Sequence, residues 1–282
     1  MLKIIPLLLA ALGVVSAAAY AAPELTVTNV GQEIEMEHKN GTDDTTAWLF
    51  NNVGLKYDDW SFTATGAKQW KYSDKNDDVT SSNHRLQFDV AKPVTDNLTL
   101  KGRYRGQNNL DRFQASYDYK YGMFLSSGDF FYDSVNGTDH DSFHAEWHPI
   151  GVSLGPVQVK YYFEYVKTLG DVQVGEVEEA FDHQIRLYAP LYKGERLTLS
   201  TEGRFSFHAS NEYNGEANAT QKVYDDFGNN RVYLKANYVM TENLNVYANY
   251  YYQFRDYEFE TVKKDNVKSY TSNLVLGWSY KF

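Results

Sequence analysis

The sequence predicts an all-β protein: a transmembrane, antiparallel, up-and-down β-barrel of about 14 strands. Three observations predict it. Segments of alternating apolar and polar residues fill most of the chain, their connections alternate between tight and long, and the amino terminus has the form of an export leader.

The leader comes first. Met1-Leu2-Lys3 puts one positive charge ahead of an apolar run from Ile4 to Val15, and Ala19-Tyr20-Ala21 has the small-x-small form that a signal peptidase accepts. Residues 1–21 are expected to be a cleaved signal peptide and residues 22–282 a single barrel domain. A membrane anchor would need about 20 apolar residues, which this run does not supply. No later stretch is apolar enough for a spanning helix, and the mean hydropathy is −0.55. Yet 16% of the residues are aromatic, 24 of them Tyr. A soluble core seldom takes so many phenols, because each buried hydroxyl needs a partner, whereas membrane barrels carry Tyr in interfacial girdles. The absence of Cys excludes a disulfide framework and a thiolate metal site. A net charge of −10 argues against nucleic acid as a partner.

The strands follow in order. Ile34 and Met36 alternate with Glu33, Glu35 and Glu37. Ala47–Tyr57 comes next with blurred alternation, then Trp60–Ala67, Arg85–Val90 and Leu98–Arg105. Phe113, Ala115, Tyr117 and Tyr119 oppose Gln114, Ser116, Asp118 and Lys120; Met123–Tyr132 then blurs again, as a bulge or a shifted register would make it. Phe143, Ala145 and Trp147 face away from His144, Glu146 and His148, and Val157, Val159, Tyr161 and Phe163 from Gln158, Lys160, Tyr162 and Glu164. Ile185, Leu187 and Ala189 oppose Gln184, Arg186 and Tyr188; Leu197, Leu199, Phe205 and Phe207 oppose Ser200, Glu202, Arg204 and Ser206. Val232 to Tyr238, Leu244 to Phe254 and Leu274 to Phe282 complete the set, each with a period of two. A β-sandwich or lipocalin-like barrel would not repeat an aromatic-rich face on nearly every strand.

The connections at Asp58-Asp59, Thr95–Asn97, Tyr121-Gly122, Gly155-Pro156, Lys193–Glu195 and Thr241–Asn243 are tight. Most of those between them are longer, and Ser210–Asn229 is the longest. Short turns at one end and longer loops at the other, with an even strand count, are the pattern of an outer-membrane barrel. Pro93, Pro149 and Pro190 fall late in strands that descend to short turns, where a missing ladder donor costs least.

Fourteen strands lie between the eight that side chains fill and the sixteen or more that leave an aqueous channel, so a water path is expected. The basic candidates for its lining are Arg85, Lys101, Arg103, Arg105, Lys120, Lys160, Arg186, Arg204, Arg231, Lys235, Arg255 and Lys281. The acidic candidates are Glu33, Glu35, Asp89, Asp118, Glu146, Glu164, Asp182 and Glu202. Rings of charge set solute preference in pores. Lys101-x-Arg103-x-Arg105 puts three cations on one inward face and suits anionic solutes such as acidic sugars, unless carboxylates on a neighbouring strand cancel it.

The second half resembles the outer membrane protein G family of monomeric fourteen-stranded porins. Ile185-Arg186-Leu187-Tyr188-Ala189-Pro190-Leu191 is similar to one of its strands, as are Asn230-Arg231-Val232, Leu244-x-Val246 through Phe254, and the closing Ser279-Tyr280-Lys281-Phe282. The first half matches in layout only. The resemblance implies a monomeric, weakly selective pore for ions and small hydrophilic solutes such as mono- and oligosaccharides, seated among outer-membrane lipid and lipopolysaccharide, with no cofactor. The family's pH gate uses a long sixth outer loop and two histidines. The loop corresponds to Ser210–Asn229, but the histidine places fall on about Phe227 and Tyr257; His208, at the foot of the loop, is read as an ordinary wet lumen residue or as the candidate for pH gating. A second resemblance, to twelve-stranded oligogalacturonate-type porins, implies an acidic-oligosaccharide channel instead.

Catalysis is not expected. His140, Asp141, Ser142, His144 and His148 cluster around one strand without a nucleophile motif. His144 and His148 stand four residues apart, about 13 Å along a strand and too far to share a metal. An adhesin barrel remains the non-enzymatic rival, although the loops are short for a receptor surface.

Overall fold

A computed structural model describes residues 24–40, 44–73, 78–138, 140–214, 222–259 and 267–282. The expected leader and its cleavage site lie outside these residues, as does the tip of the longest connection. Fourteen strands are present: β1 (Thr26–Lys39), β2 (Asp44–Tyr57), β3 (Trp60–Ser73), β4 (Asp78–Thr95), β5 (Leu98–Gln107), β6 (Leu110–Tyr121), β7 (Phe124–Val135), β8 (His140–Leu154), β9 (Val157–Gly170), β10 (Val177–Lys193), β11 (Leu197–Tyr213), β12 (Lys222–Val239), β13 (Leu244–Phe259) and β14 (Val267–Lys281). Each pairs with its sequence neighbours, and β14 returns to β1 to close the barrel. Closure gives every strand two partners, the condition for a sheet to cross hydrocarbon.

Alternation selects this wall. Leu86, Phe113, Ile150, Leu234 and Leu276 stand exposed on the outside, while their sequence neighbours turn inward among polar side chains. Sequence alternation blurs in β2 and β7 because of composition, not bulging. Each pairs without a register shift with one neighbour, β2 with β3 and β7 with β6. In β2 the inward residues include Trp48 and Phe50, both buried, and Asn51 faces out to bond Gln32 at 2.8 Å. In β7 Phe131 is buried inward, while the outward Ser126 meets the Tyr117 hydroxyl at 2.8 Å.

Pro149 sits in a bulge, and Pro93 and Pro190 border one. Register shifts fall between Pro93 and Thr95, between Trp147 and Ile150 around Pro149, and between Pro190 and Tyr192. A bulge leaves one residue out of the ladder, so the N–H that Pro149 lacks costs nothing there, while Pro93 and Pro190 stand opposite Thr99 and Ser200 at the edge of theirs.

The strands are longer than the apolar alternation alone suggests. Ser210 pairs with Val223 and Asn211 with Lys222, so much of the expected loop Ser210–Asn229 is an extended hairpin. Backbone pairing needs no apolar side chains, and a polar ladder continues once the strand has left the hydrocarbon.

Candidate functional site: the barrel lumen

Fourteen strands about 4.8 Å apart and tilted about 40° close into a cylinder roughly 28 Å across between backbones. Inward side chains lie along this wall instead of crossing it. Among the described residues, no hydrogen bond, ion pair or ring contact joins strands more than two apart around the barrel; the longest reaches are of the kind Tyr251 to Glu37 and Asn229 to Asp182.

The register puts every charged residue proposed for the lining on the inward face. Its pairing differs between two sectors. On β4–β7 opposite charges neutralise one another. Lys101 pairs with Asp118, Arg103 Nε meets Asp89 Oδ1 at 2.5 Å, and Arg112 grips Asp133 through two 2.6 Å hydrogen bonds. The triad Lys101-x-Arg103-x-Arg105 is thus cancelled at two of its three positions; Arg105 donates to neutral Gln87 at 2.8 Å.

On β8–β13 the wall is thicker. Tyr162, Arg186, Glu202, Ser206 and Gln253 are all buried, and Arg186 lies over the Tyr162 ring at 3.2 Å. Glu202 holds Arg204 at 2.6 Å and Lys235 at 2.5 Å. Asp182 accepts hydrogen bonds from Gln184 at 2.6 Å, Ser206 at 3.0 Å and Asn229 at 3.2 Å. Tyr162, Asp182, Gln184, Arg186, Arg204 and Gln253 border a hollow of about 400 Å³ opening on the lumen. On β1, Glu33 and Glu37 accept from the hydroxyls of Tyr247 and Tyr251 at 2.8 and 3.0 Å, and Glu35 accepts from Asn273 at 2.8 Å.

Guanidinium groups rest on rings throughout: Arg85 on Trp48 at 4.5 Å, Arg112 on Phe131 at 3.8 Å, Arg204 on Tyr233 at 4.8 Å and Arg231 on Tyr251 at 4.7 Å. Part of the tyrosine content therefore serves as lumen platforms for cations, beside the expected girdles.

Sequence reasoning missed Arg112 and Asp133, because the apolar pattern of β6 opens at Phe113 and that of β7 stops at Tyr132. It also misplaced His208. A register shift between Ser206 and His208 makes Phe207 an extra residue, so His208 pairs with His183 on the outer face. There its ring lies 6.2 Å from that of His183 and 5.3 Å from Phe181, away from the lumen.

The arrangement does not make a catalytic triad. Ser142 Oγ meets His144 Nε2 at 2.9 Å, but Asp133 approaches that same nitrogen, at 3.6 Å, and is already engaged by Arg112. A triad needs the carboxylate on the opposite ring nitrogen. Among the described residues no group of three or more His, Asp or Glu is placed to hold a metal.

A closed, even-stranded, antiparallel wall with an apolar exterior and a charged interior defines a transmembrane β-barrel of the bacterial outer membrane. No protein-family description and no curated protein sequence matches the chain. Solved structures of similar fold include a bacterial polysaccharide outer membrane secretin, with a TM-score of 0.54, 9% identity, and coverage of 91% of this chain and 98% of the other. An anion-selective porin from Comamonas acidovorans aligns with a TM-score of 0.46, 10% identity, and coverage of 92% and 100%. The translocator domain of the autotransporter NalP from Neisseria meningitidis aligns with a TM-score of 0.46, 12% identity, and coverage of 91% and 89%. Likeness at such low identity speaks to fold alone, so function has to be argued from the lumen.

Proposed function

We propose that the protein is a passive diffusion porin, a water-filled channel for ions and small hydrophilic solutes such as mono- and oligosaccharides. The observation that carries this is the lumen: its face is charged on nearly every strand, and its described side chains lie along the wall without bridging it. A barrel filled by its own side chains would need apolar or cross-braced packing instead. The charged residues named from the sequence line this path. The acidic-oligosaccharide alternative loses its main support, since Lys101 and Arg103 are neutralised by Asp118 and Asp89. The family resemblance suggests a monomer among lipopolysaccharide, exported by its leader and without cofactor or catalysis.

Swelling of vesicles carrying the folded protein tests the reading. Entry of sugars that slows with solute size supports a porin. No swelling with any sugar, small or large, marks a closed barrel or an adhesin.

A further inference from the structure

The two sectors of the lumen differ in how they set their charges. On β4–β7 most cations are set beside a carboxylate, although Arg105 stands opposite Arg112. On β7–β12 like charges are set side by side. Asp129 pairs directly with Glu146, Glu146 with Glu164, and Glu164 with Asp182, so four carboxylates run across β7–β10 in one row. Four residues lower on β9 and β10, towards the short turns, Lys160 pairs with Arg186, Arg186 with Arg204, and Arg204 with Arg231, a row of four cations across β9–β12. Between them runs a neutral row of hydrogen-bonding groups, Tyr162, Gln184, Ser206 and Asn229.

Like charges directly opposite one another in a sheet destabilise it. A wall selected for stability alone would alternate signs, as β4–β7 does at Lys101–Asp118, Arg103–Asp89 and Arg112–Asp133. Lys160, Arg186 and Arg231 have no carboxylate within ion-pair distance among the described residues; Arg186 is held by Gln184 and the Tyr162 ring, and Arg231 by Gln253 and the Tyr233 hydroxyl. The carboxylates are capped by neutral donors: Asp129 by Gln114, Glu164 by Tyr162, and Asp182 by Gln184, Ser206 and Asn229. One oxygen of Asp182, Oδ1, is shielded and meets no donor among the described residues. The hollow of about 400 Å³ is bordered by both rows at once, with Glu146, Glu164 and Asp182 against Arg186, Arg204 and Arg231.

We propose that this hollow is a binding site for short zwitterionic peptides, with their ammonium end on the carboxylate row and their carboxylate end on the cation row. Such a solute brings to each row the charge the wall withholds, and its amide groups meet the neutral row between. A neutral saccharide offers neither end, and a simple anion gains from one row what it loses to the other. The peptide lies along the channel, ammonium end towards the longer connections. The proposal rests on the porin reading for its role in transport, but not for binding itself.

The test compares triglycine with its acetylated and amidated form, which has the same backbone and no end charges. Single-channel currents across planar bilayers and calorimetric titration of the micelle-embedded barrel are both recorded. Triglycine is expected to interrupt the current and to bind at least about tenfold more tightly than the capped peptide. Glu164→Gln and Arg186→Gln are each expected to bring triglycine close to the capped level. Open conductance in salt and heat-modifiable mobility confirm that both variants fold. Equal behaviour of the two peptides, or folded variants that still discriminate between them, overturns the proposal. A barrel without ion conductance that still discriminates by calorimetry overturns the porin reading and leaves the site standing.

Discussion

Replacement of Leu276 by Arg is expected to cost far more than the same change one residue earlier. Leu276 is exposed on the outer face of β14, and Val275 turns inward opposite Glu35. A strand rising about 3.4 Å per residue and tilted about 40° gains roughly 2.6 Å of height per residue, so an apolar band about 25 Å tall holds about ten residues. Leu276 lies some five residues above the end of β14 and thus close to the midplane. There an outward Arg costs about 2–4 kcal/mol, falling to about 0–1 kcal/mol near an interface. Tyr280→Arg, on the same face close to the strand end, should fall in the lower range. Val275→Arg places its charge in the lumen beside Glu35 and should change stability by less than about 1 kcal/mol. Equilibrium unfolding in urea from lipid vesicles reads all three. Equal losses for Val275→Arg and Leu276→Arg would refute the assignment of faces, because a one-residue slip inverts every side chain of a strand.

Further outcomes follow from the same wall. Asp133→Asn leaves the Arg112 guanidinium without its charged partner; lumen water moderates the loss to about 2–3 kcal/mol in the same unfolding assay. Gly31→Ala puts a Cβ 2.8 Å from the backbone oxygen of Trp278 at the closing seam, and should cost about 1–3 kcal/mol. His208→Phe should leave the pH dependence of conductance unchanged, since its ring belongs to the outer aromatic cluster; a lost or shifted pH response would return His208 to a gating role. Asp89→Asn frees Arg103 and should shift the reversal potential in a salt gradient towards anions, whereas an unshifted potential would mean that this pair does not face the ion path.

How much of this was legible depends on the range of the cause. The strands could be read because each residue declares its face to its own neighbours two positions away. Leu274 to Phe282 shows this without any knowledge of a partner strand. The bulges could not be read. Phe207 is as apolar as an outward residue should be, and nothing local shows that the pairing slips there and carries His208 to the same side. Arg112 and Asp133 were lost at strand ends, where polar residues on both faces erase the period. The pairing of Arg103 with Asp89, and the lining up of Arg186 with Arg204 and Arg231, depend on register between strands. Register arises from turns, bulges and closure together, not from any one segment.

The seam between β1 and β14 joins residues as far apart as Glu35 and Asn273. Every other pairing in the wall joins strands adjacent in the chain, but this one waits for the last strand to be delivered. Until then the sheet has two raw edges, each able to recruit a foreign strand. Long-range closure of this kind makes folding slow and cooperative. A chain cut short before Val267 would therefore lose more than one stave. It would be an open, edge-sticky sheet, and the cell would meet it as a problem of aggregation before it met it as a missing pore.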